Sequence, residues 1–381
     1  MFFNKIVKDL LLYFSISLII VSLILWVFQL TNYIDLIIND GKNIYEYFSY
    51  SLLRLPKIVS EIYIFTFFFS LIFIISKYED SNQLIILWTS GISKISLVNF
   101  FLKISSIILI IHIALNLFLV PLSEKSARNI ARDNQSININ NLLLPKKFND
   151  QIKNYTFYFE EKLKDSTLLN VYIKQIIDNQ ETKITYAKKG FLSKSNNTTV
   201  LKLIDGENFV FKDDKVNRLK FSVSKATLTN LTSQKATYPK MSEIQTLNLI
   251  KCILKLNNIN TYQEDKEFDE INRCTKGNIK NIYIEFYDRF FFTLFVIPLT
   301  IITGFLILFS KLDKNYNLFK LTAFLCGLLI LILSIIVNRY ITDNLFLNII
   351  VYSIPVISAI IIYLIFLFTL NHVENKKLIK N

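Results

Sequence analysis

Histidine, cysteine, glycine and proline are scarce in this chain, and each shortage closes off a kind of chemistry. Its 381 residues hold 2 His, 3 Cys, 7 Gly and 6 Pro. One histidine, His112, sits inside an apolar run, and the other lies in the C-terminal tail. No HExxH, GxSxG or Cys/His cluster can be drawn from that set, so neither a metal centre nor an activated nucleophile is expected. No GxxxxGK[ST] loop occurs either. Asp40-Gly41-Lys42-Asn43 lacks the leading glycine, so the chain does not itself cradle nucleotide phosphates. No catalytic residue, metal or cofactor is expected, and the chain reads as a non-enzyme. Acidic residues are outnumbered too: 43 Lys and Arg face 30 Asp and Glu, a net charge of +13. The surplus is scattered, which argues against nucleic acid and for an anionic lipid or surface as partner.

What the chain has in abundance is apolar length. A bilayer core needs about 20 mostly apolar residues per helix. Leu10–Leu30, Ile58–Ile75, Leu97–Val120, Phe290–Phe309, Leu321–Val337 and Leu345–Leu370 come close to that. Lys and Arg in short connections set orientation. Lys5, Lys8, Lys77, Lys94, Lys311, Lys314, Lys320, Lys376, Lys377 and Lys380 collect on one side, against Lys42, Arg54, Lys57 and Arg339 on the other. Both termini are therefore expected in the cytoplasm, with residues 121–281 outside. The expected organisation is 1–120 as spans one to three with a cytoplasmic loop helix at about 77–92, 121–281 as an outer β domain with a helical and loop tail, and 282–381 as spans four to six. Leu10–Leu30 is followed by no small-residue cleavage site and reads as a retained helix.

The inserted region alternates short β-rich runs with turn clusters. Asn154–Glu161, Leu168–Ile177, Lys183–Ala187, Thr199–Ile204, Asn208–Lys212 and Leu219–Ser224 read as strands, with turns at Lys164-Asp165-Ser166 and Lys212-Asp213-Asp214. Strands at this spacing argue for a sandwich or jelly roll. Phe157 and Phe159, and Val171 and Ile173, should share one apolar face. After Pro239 the pattern turns helical, with Ile244, Leu247, Leu249, Ile250, Ile253 and Leu254, and Glu264–Glu270 reads as loop. Cys252 and Cys274 fall in this region, where an oxidising compartment permits a disulfide; two free thiols are the alternative. Cys326 lies within a span.

The cytoplasmic loop between spans two and three carries Leu84, Leu87, Trp88 and Ile92, an apolar stripe at helical spacing. Gly91 breaks that helix and Ser93 caps the next. Such a helix either docks a soluble motor or lies in the lipid interface. Near the other surface, Arg54 and Lys57 read either as anchors, with Lys57 paired to Glu61, or as contacts to lipid phosphates. Glu285 and Arg289 read as a pair along one helix face, and His112 as an interior hydrogen-bonded residue beside Asn116.

In several features together the chain resembles the lipopolysaccharide-export permeases LptF and LptG, and LptF more closely. These are the three-domain-three plan, Leu55-Pro56 opening the second span, Ser90-Gly91-Ile92-Ser93, Val120-Pro121 closing the third span, Tyr186-Ala187-Lys188-Lys189-Gly190, Leu203-Ile204-Asp205-Gly206-Glu207, and Glu285 with Arg289. The resemblance implies a six-helix membrane protein with an inserted periplasmic jelly-roll-like domain in the bacterial inner membrane. It implies a heterodimer with a sister permease, driven by a cytoplasmic LptB-like ABC ATPase dimer and handing lipopolysaccharide to an LptC-like periplasmic bridge. The loop helix, with Glu79, Asp80, Gln83, Leu84, Leu87, Trp88 and Gly91, would couple to the ATPase. Gln83 stands where the family carries a Glu, leaving Glu79 or Asp80 to supply the charge. The family's basic residues after the first span are replaced by Gln29-Leu30-Thr31-Asn32-Tyr33, leaving Lys42, Arg54 and Lys57 for lipid phosphates. Phe157, Phe159, Val171 and Ile173 would receive acyl chains. A lipoprotein-releasing or other lipid ABC permease, or a membrane anchor for the β domain, is the alternative; the former place the outer domain after the first of four spans.

Overall fold

The computed structural model describes residues 2–34, 43–132, 145–149, 155–163, 167–178, 181–195, 198–212, 215–228, 240–257, 273–312 and 316–380. Lys42, the turn residues 164–166 and 213–214, and Glu264–Glu270 lie outside them. Two compact units emerge: Met1–Phe28, Leu53–Ser126 and Tyr238–Asn381 form one, and Gln29–Leu52 with Ala127–Thr237 the other.

The first unit holds most of the membrane body, and among the described residues six helical stretches are long and apolar enough to span a bilayer. Helix α1 (Phe2–Tyr33) is followed by α2 (Ile44–Leu53) and α3 (Leu55–Asp80). Pro56 opens α3, where a missing N–H costs nothing. Apolar nearly all round, α3 buries Tyr63, Phe67, Phe68, Leu71, Ile74 and Ile75 at the middle of the core. Asn82, in the left-handed region at φ 58°, turns the chain into the short α4 (Gln83–Thr89). Gly91, at φ 84°, ends that helix, donating its N–H to Trp88 O at 3.2 Å. Ser93 then caps α5 (Lys94–Ala114) through the Ser96 N–H. A π turn, Leu115–Leu119, joins α5 to α6 (Val120–Arg132).

Thus Val120-Pro121 does not end the helix, which runs on as the polar α6. Pro121 carries no N–H for the Leu117 carbonyl, and the helix widens by one residue there instead of stopping. Helix α7 (Thr246–Leu256) leads toward α8 (Ile279–Phe290), α9 (Val296–Phe305), α10 (Tyr316–Val337) and α11 (Leu345–Lys380). The fourth span begins at Lys276, well before the Phe290 expected from hydropathy. Its polar first half conceals it, because Glu285, Asp288 and Arg289 interrupt the apolar run yet find partners inside the protein.

The inserted β domain is antiparallel throughout. Strands β1 (Tyr155–Tyr158), β2 (Glu161–Lys162), β3 (Thr167–Asp178), β4 (Glu181–Ser195), β5 (Thr198–Lys212) and β6 (Lys215–Leu228) form one sheet of order β1-β3-β4-β5-β6, with β2 also on β3. The jelly-roll-like expectation is represented among the described residues by this sheet. Its core face holds Phe157, Phe159, Leu168, Val171, Ile173, Ala187, Leu201 and Leu203.

Strands β4 and β5 outrun the sequence boundaries. Tyr186–Gly190 and Leu203–Glu207, the two β-strand segments that carry the family resemblance, prove to be cross-strand partners: Tyr186 faces Glu207, Ala187 faces Gly206, and Gly190 faces Leu203. Pairing lapses along one line across the sheet, at Asn170, Lys188 and Asp205. Asn170 and Asp205 both adopt φ 51°. Two left-handed residues on that line shift the in-out alternation, so β5 continues through a segment that reads as a break. The Phe221 ring lies over Gly206, where any Cβ would collide with it. On the exposed side Arg218 grips Glu207 with two 2.9 Å hydrogen bonds and, with Lys220, holds that carboxyl below its usual range.

Within the membrane body the Phe68 ring presses against Gly327, so α3 and α10 approach at a point where no side chain fits. Gly327→Val is expected to overpack this contact and destabilise the protein by about 1–3 kcal/mol. A thermal melt in detergent that matches wild type would contradict that packing.

Candidate functional site

The start of α3, the π turn of the third span, the end of α8 and the residues just after α10 meet at one end of the membrane unit. Around them lies a cavity of about 420 Å³. Lys57, Ser60, Glu61, Asn116, Glu285, Asp288, Arg289 and Asn338 line it, together with Phe292 and Ile335. Charge inside a membrane protein is costly unless paired, and such residues mark functional positions.

Arg289 organises one wall. Only 3% exposed, it donates to Glu285 Oε1 at 2.8 Å, Ile244 O at 2.9 Å, Thr246 Oγ1 at 2.9 Å, Met241 O at 3.2 Å and Ser242 O at 3.3 Å. A guanidinium fork can serve that many acceptors and a lysine cannot. Thr246 in turn donates to Leu117 O at 2.8 Å, the carbonyl that Pro121 leaves without its helical donor. One guanidinium thus links α8, the segment before α7 and the π turn of the third span.

Beside this clamp, His112 is wholly buried, 3.0 Å from Ser60 O and stacked on Tyr63 with ring centroids 4.5 Å apart. Ser60 donates to Asn116 Oδ1, and Asn116 lies in the π turn. Asp288 is hydrogen-bonded to Asn338 and lies within electrostatic reach of Lys57, Glu61 and Glu285. Arg54 is 3.5 Å from Glu124, a carboxylate only 1% exposed. Lys57 faces the cavity together with Glu61. Sequence reasoning missed Glu124, Asp288 and Thr246. Asp288 was detectable as a third charge beside Glu285 and Arg289, and Glu124 follows the third span directly; nothing in the sequence pattern marks Thr246.

The disulfide joins Cys252 on α7 to Cys274, with Cα atoms 5.5 Å apart. It ties α7 to the segment that enters α8 and lies in a small core with Ile244, Leu249 and Ile282. Cys326 is a free thiol.

At the opposite ends of the spans the loop helix corrects one expectation. Leu84 and Leu87 are 3% and 2% exposed, and Trp88 and Ile92 pack on the membrane core. The apolar stripe therefore faces this chain's own interior and cannot be the face offered to a soluble partner. Ile85 and Ile86 point outward instead, with Ile86 60% exposed. Glu79 is buried and accepts the Lys311 N–H at 2.7 Å, while Asp80 O accepts from Lys311 Nζ at 3.1 Å. Glu79 thus fastens α3 to the turn after α9, and Asp80 keeps an exposed side chain. Gln83 opens α4, half-buried, and Gly91 ends it. In the β domain Phe157, Phe159, Val171 and Ile173 all lie on the core face, 1–4% exposed.

Comparison with known proteins adds two findings. A family model described as lipopolysaccharide export system permease LptF/LptG matches residues 5–370. An uncharacterized protein, RP871, of Rickettsia prowazekii (strain Madrid E) is 24% identical over 208 residues, 54% of this chain and 56% of that protein. The chain thus spans about half the length of that relative.

If the clamp holds as described, Thr246→Val leaves both Leu117 O and an Arg289 N–H unanswered, at a cost of about 1–3 kcal/mol. Arg289→Met leaves the half-buried Glu285 and the carbonyls of Met241, Ser242 and Ile244 without their donor and should cost about 1–3 kcal/mol. Equal unfolding midpoints for wild type and Thr246→Val in detergent would rule the clamp out.

Proposed function

Because the chain belongs to the lipopolysaccharide export permease family LptF/LptG, we propose that it works as one half of a paired permease. A separate ATPase drives it, lipopolysaccharide is its cargo, and the β domain hands that lipid to a bridge protein. The chain is a multi-pass inner-membrane protein by its family and its six apolar helices. In this reading both termini lie in the cytoplasm and the β domain in the periplasm. The Cys252–Cys274 disulfide supports that orientation, since such bonds persist on the oxidising side of a membrane.

The observation that carries the reading is the build of α4. Leu84 and Leu87 root it in the membrane core, while Ile85 and Ile86 stand outward on a helix fixed at both ends by Asn82 and Gly91. A rigid helix that displays two isoleucines on the Lys-rich side suits a soluble motor, because burying them on contact supplies the hydrophobic gain. Movement of α4 would reach the spans through Leu84, Leu87 and the Glu79–Lys311 contact. Asp80 then supplies the exposed acidic charge nearest the docking face.

In the β domain, β6 has a neighbour on one side only among the described strands, and it exposes Val216, Leu219 and Val223. An open edge of that length suits a bridge protein that adds its own strand. In this reading the apolar face with Phe157, Phe159, Val171 and Ile173 receives acyl chains, its apolar lining favouring lipid over sugar.

A tag on this chain should recover an ABC ATPase and a sister permease. Ile86→Glu should cut ATPase recovery at least about tenfold, because the new charge must be desolvated on docking, while insertion and the melting temperature stay as in wild type. Leu87→Glu should instead lower the yield of folded protein. If Ile86→Glu recovers the ATPase fully, this docking face is wrong.

A further inference from the structure

The charges around the cavity do not balance. Arg289 is occupied by Glu285 and by four further acceptors. Arg54 lies beside Glu124. Lys57 faces two carboxylates, Glu61 and Asp288, both lining the cavity and both in electrostatic reach of it, with Arg54 acting on Glu61 from beyond the lining. Among the described residues no group of His, Cys, Asp or Glu is arranged to hold a metal ion. The open volume of about 420 Å³ is within the ordinary range for a small organic ligand.

Depth identifies the kind of ligand. The 26 residues of α3 make a rod of about 39 Å, longer than the roughly 30 Å hydrocarbon core. Lys57 is the third residue of that rod and Glu61 lies one turn further in. Lys57 therefore stands near the level of lipid headgroups, with Glu61 about 6 Å below it. A headgroup that presents an ammonium to Glu61 and Asp288, and a phosphate to Lys57, would neutralise the wall, and its tails would lie toward Phe292 and Ile335.

We infer that this cavity is a subsite for a lipid headgroup bearing a primary ammonium, with Glu61 and Asp288 receiving the ammonium and Lys57 facing the adjoining phosphate. The inference deepens the lipid-permease reading by assigning a headgroup chemistry to the permease's own membrane unit. Asn338 is a positioning residue, because its hydrogen bond fixes the Asp288 carboxylate at the wall.

The test needs neither ATPase nor transport, so the export reading can fail while this one stands, and the reverse. The full chain is purified in detergent and titrated with phosphatidylethanolamine or with its N-acetylated form, and retained lipid is counted by native mass spectrometry. Wild type should hold the free amine at least about tenfold more tightly, the worth of one charge-assisted contact. Glu61→Gln combined with Asp288→Asn should erase that difference, and Lys57→Gln should weaken both lipids together. Equal retention of the two lipids by wild type overturns the inference, and that comparison holds even where a variant folds poorly. So does a double variant that melts as wild type yet keeps the preference. Free phosphoethanolamine that displaces the lipid at equal concentration would assign the site to a soluble amine and overturn the lipid assignment.

Discussion

The Leu117 carbonyl is the constraint around which the domain-bearing end of the membrane unit is built. Pro121 deprives it of its helical donor, and a backbone carbonyl inside the protein needs another. Thr246 answers it, which requires the segment before α7 to lie against the third span. Thr246 is itself held by Arg289, whose remaining N–H groups close the carbonyls of Met241, Ser242 and Ile244. The Cys252–Cys274 bond then holds α7 to the entry of α8, so the clamp is braced from both sides. Removing the threonine orphans two groups, whereas an apolar substitution elsewhere on α7 would cost only its own contact. The π turn and the charged cavity follow from that arrangement, because Asn116 belongs to the first and Arg289 and Glu285 to the second.

How far the sequence could be read depended on which force dominates locally. The spans were legible because the bilayer imposes one demand, length and apolarity, on every residue in turn. The start of the fourth span was not, since Glu285 pairs with Arg289 along the helix and Arg289 closes the carbonyls of Met241, Ser242 and Ile244, contacts that hydropathy cannot register. The β domain was legible as strands and turns, and the sharing of one face by Phe157 and Val171 follows from the two-residue repeat. Asp205-Gly206 reads as a break because Asp and Gly favour turns; only the pairing of β5 with both β4 and β6, and the Phe221 ring over Gly206, carry the strand through.

The loop helix shows the same limit at a functional position. Helical spacing identifies the stripe of Leu84, Leu87, Trp88 and Ile92, but periodicity does not say whether a stripe faces inward or outward. In a chain whose own core lies one turn away, burial there wins, and the side left exposed is the one with Ile85 and Ile86. Glu79 follows the same logic. A carboxylate at the end of an apolar helix looks available, yet the unpaired N–H of Lys311 captures it. The charges of the cavity were visible as residues but not as a set, because they come from two spans more than 200 residues apart in sequence.

The central claim is that this chain moves lipopolysaccharide with energy supplied by a partner ATPase. The most direct measurement is extraction from proteoliposomes containing the complex purified through a tag on this chain, with a soluble β-rich bridge protein as acceptor. Lipopolysaccharide should reach the acceptor only while ATP is hydrolysed, and not with a non-hydrolysable analogue. Steady ATP hydrolysis with no lipopolysaccharide transferred, or transfer of a lipoprotein in its place, would contradict the claim.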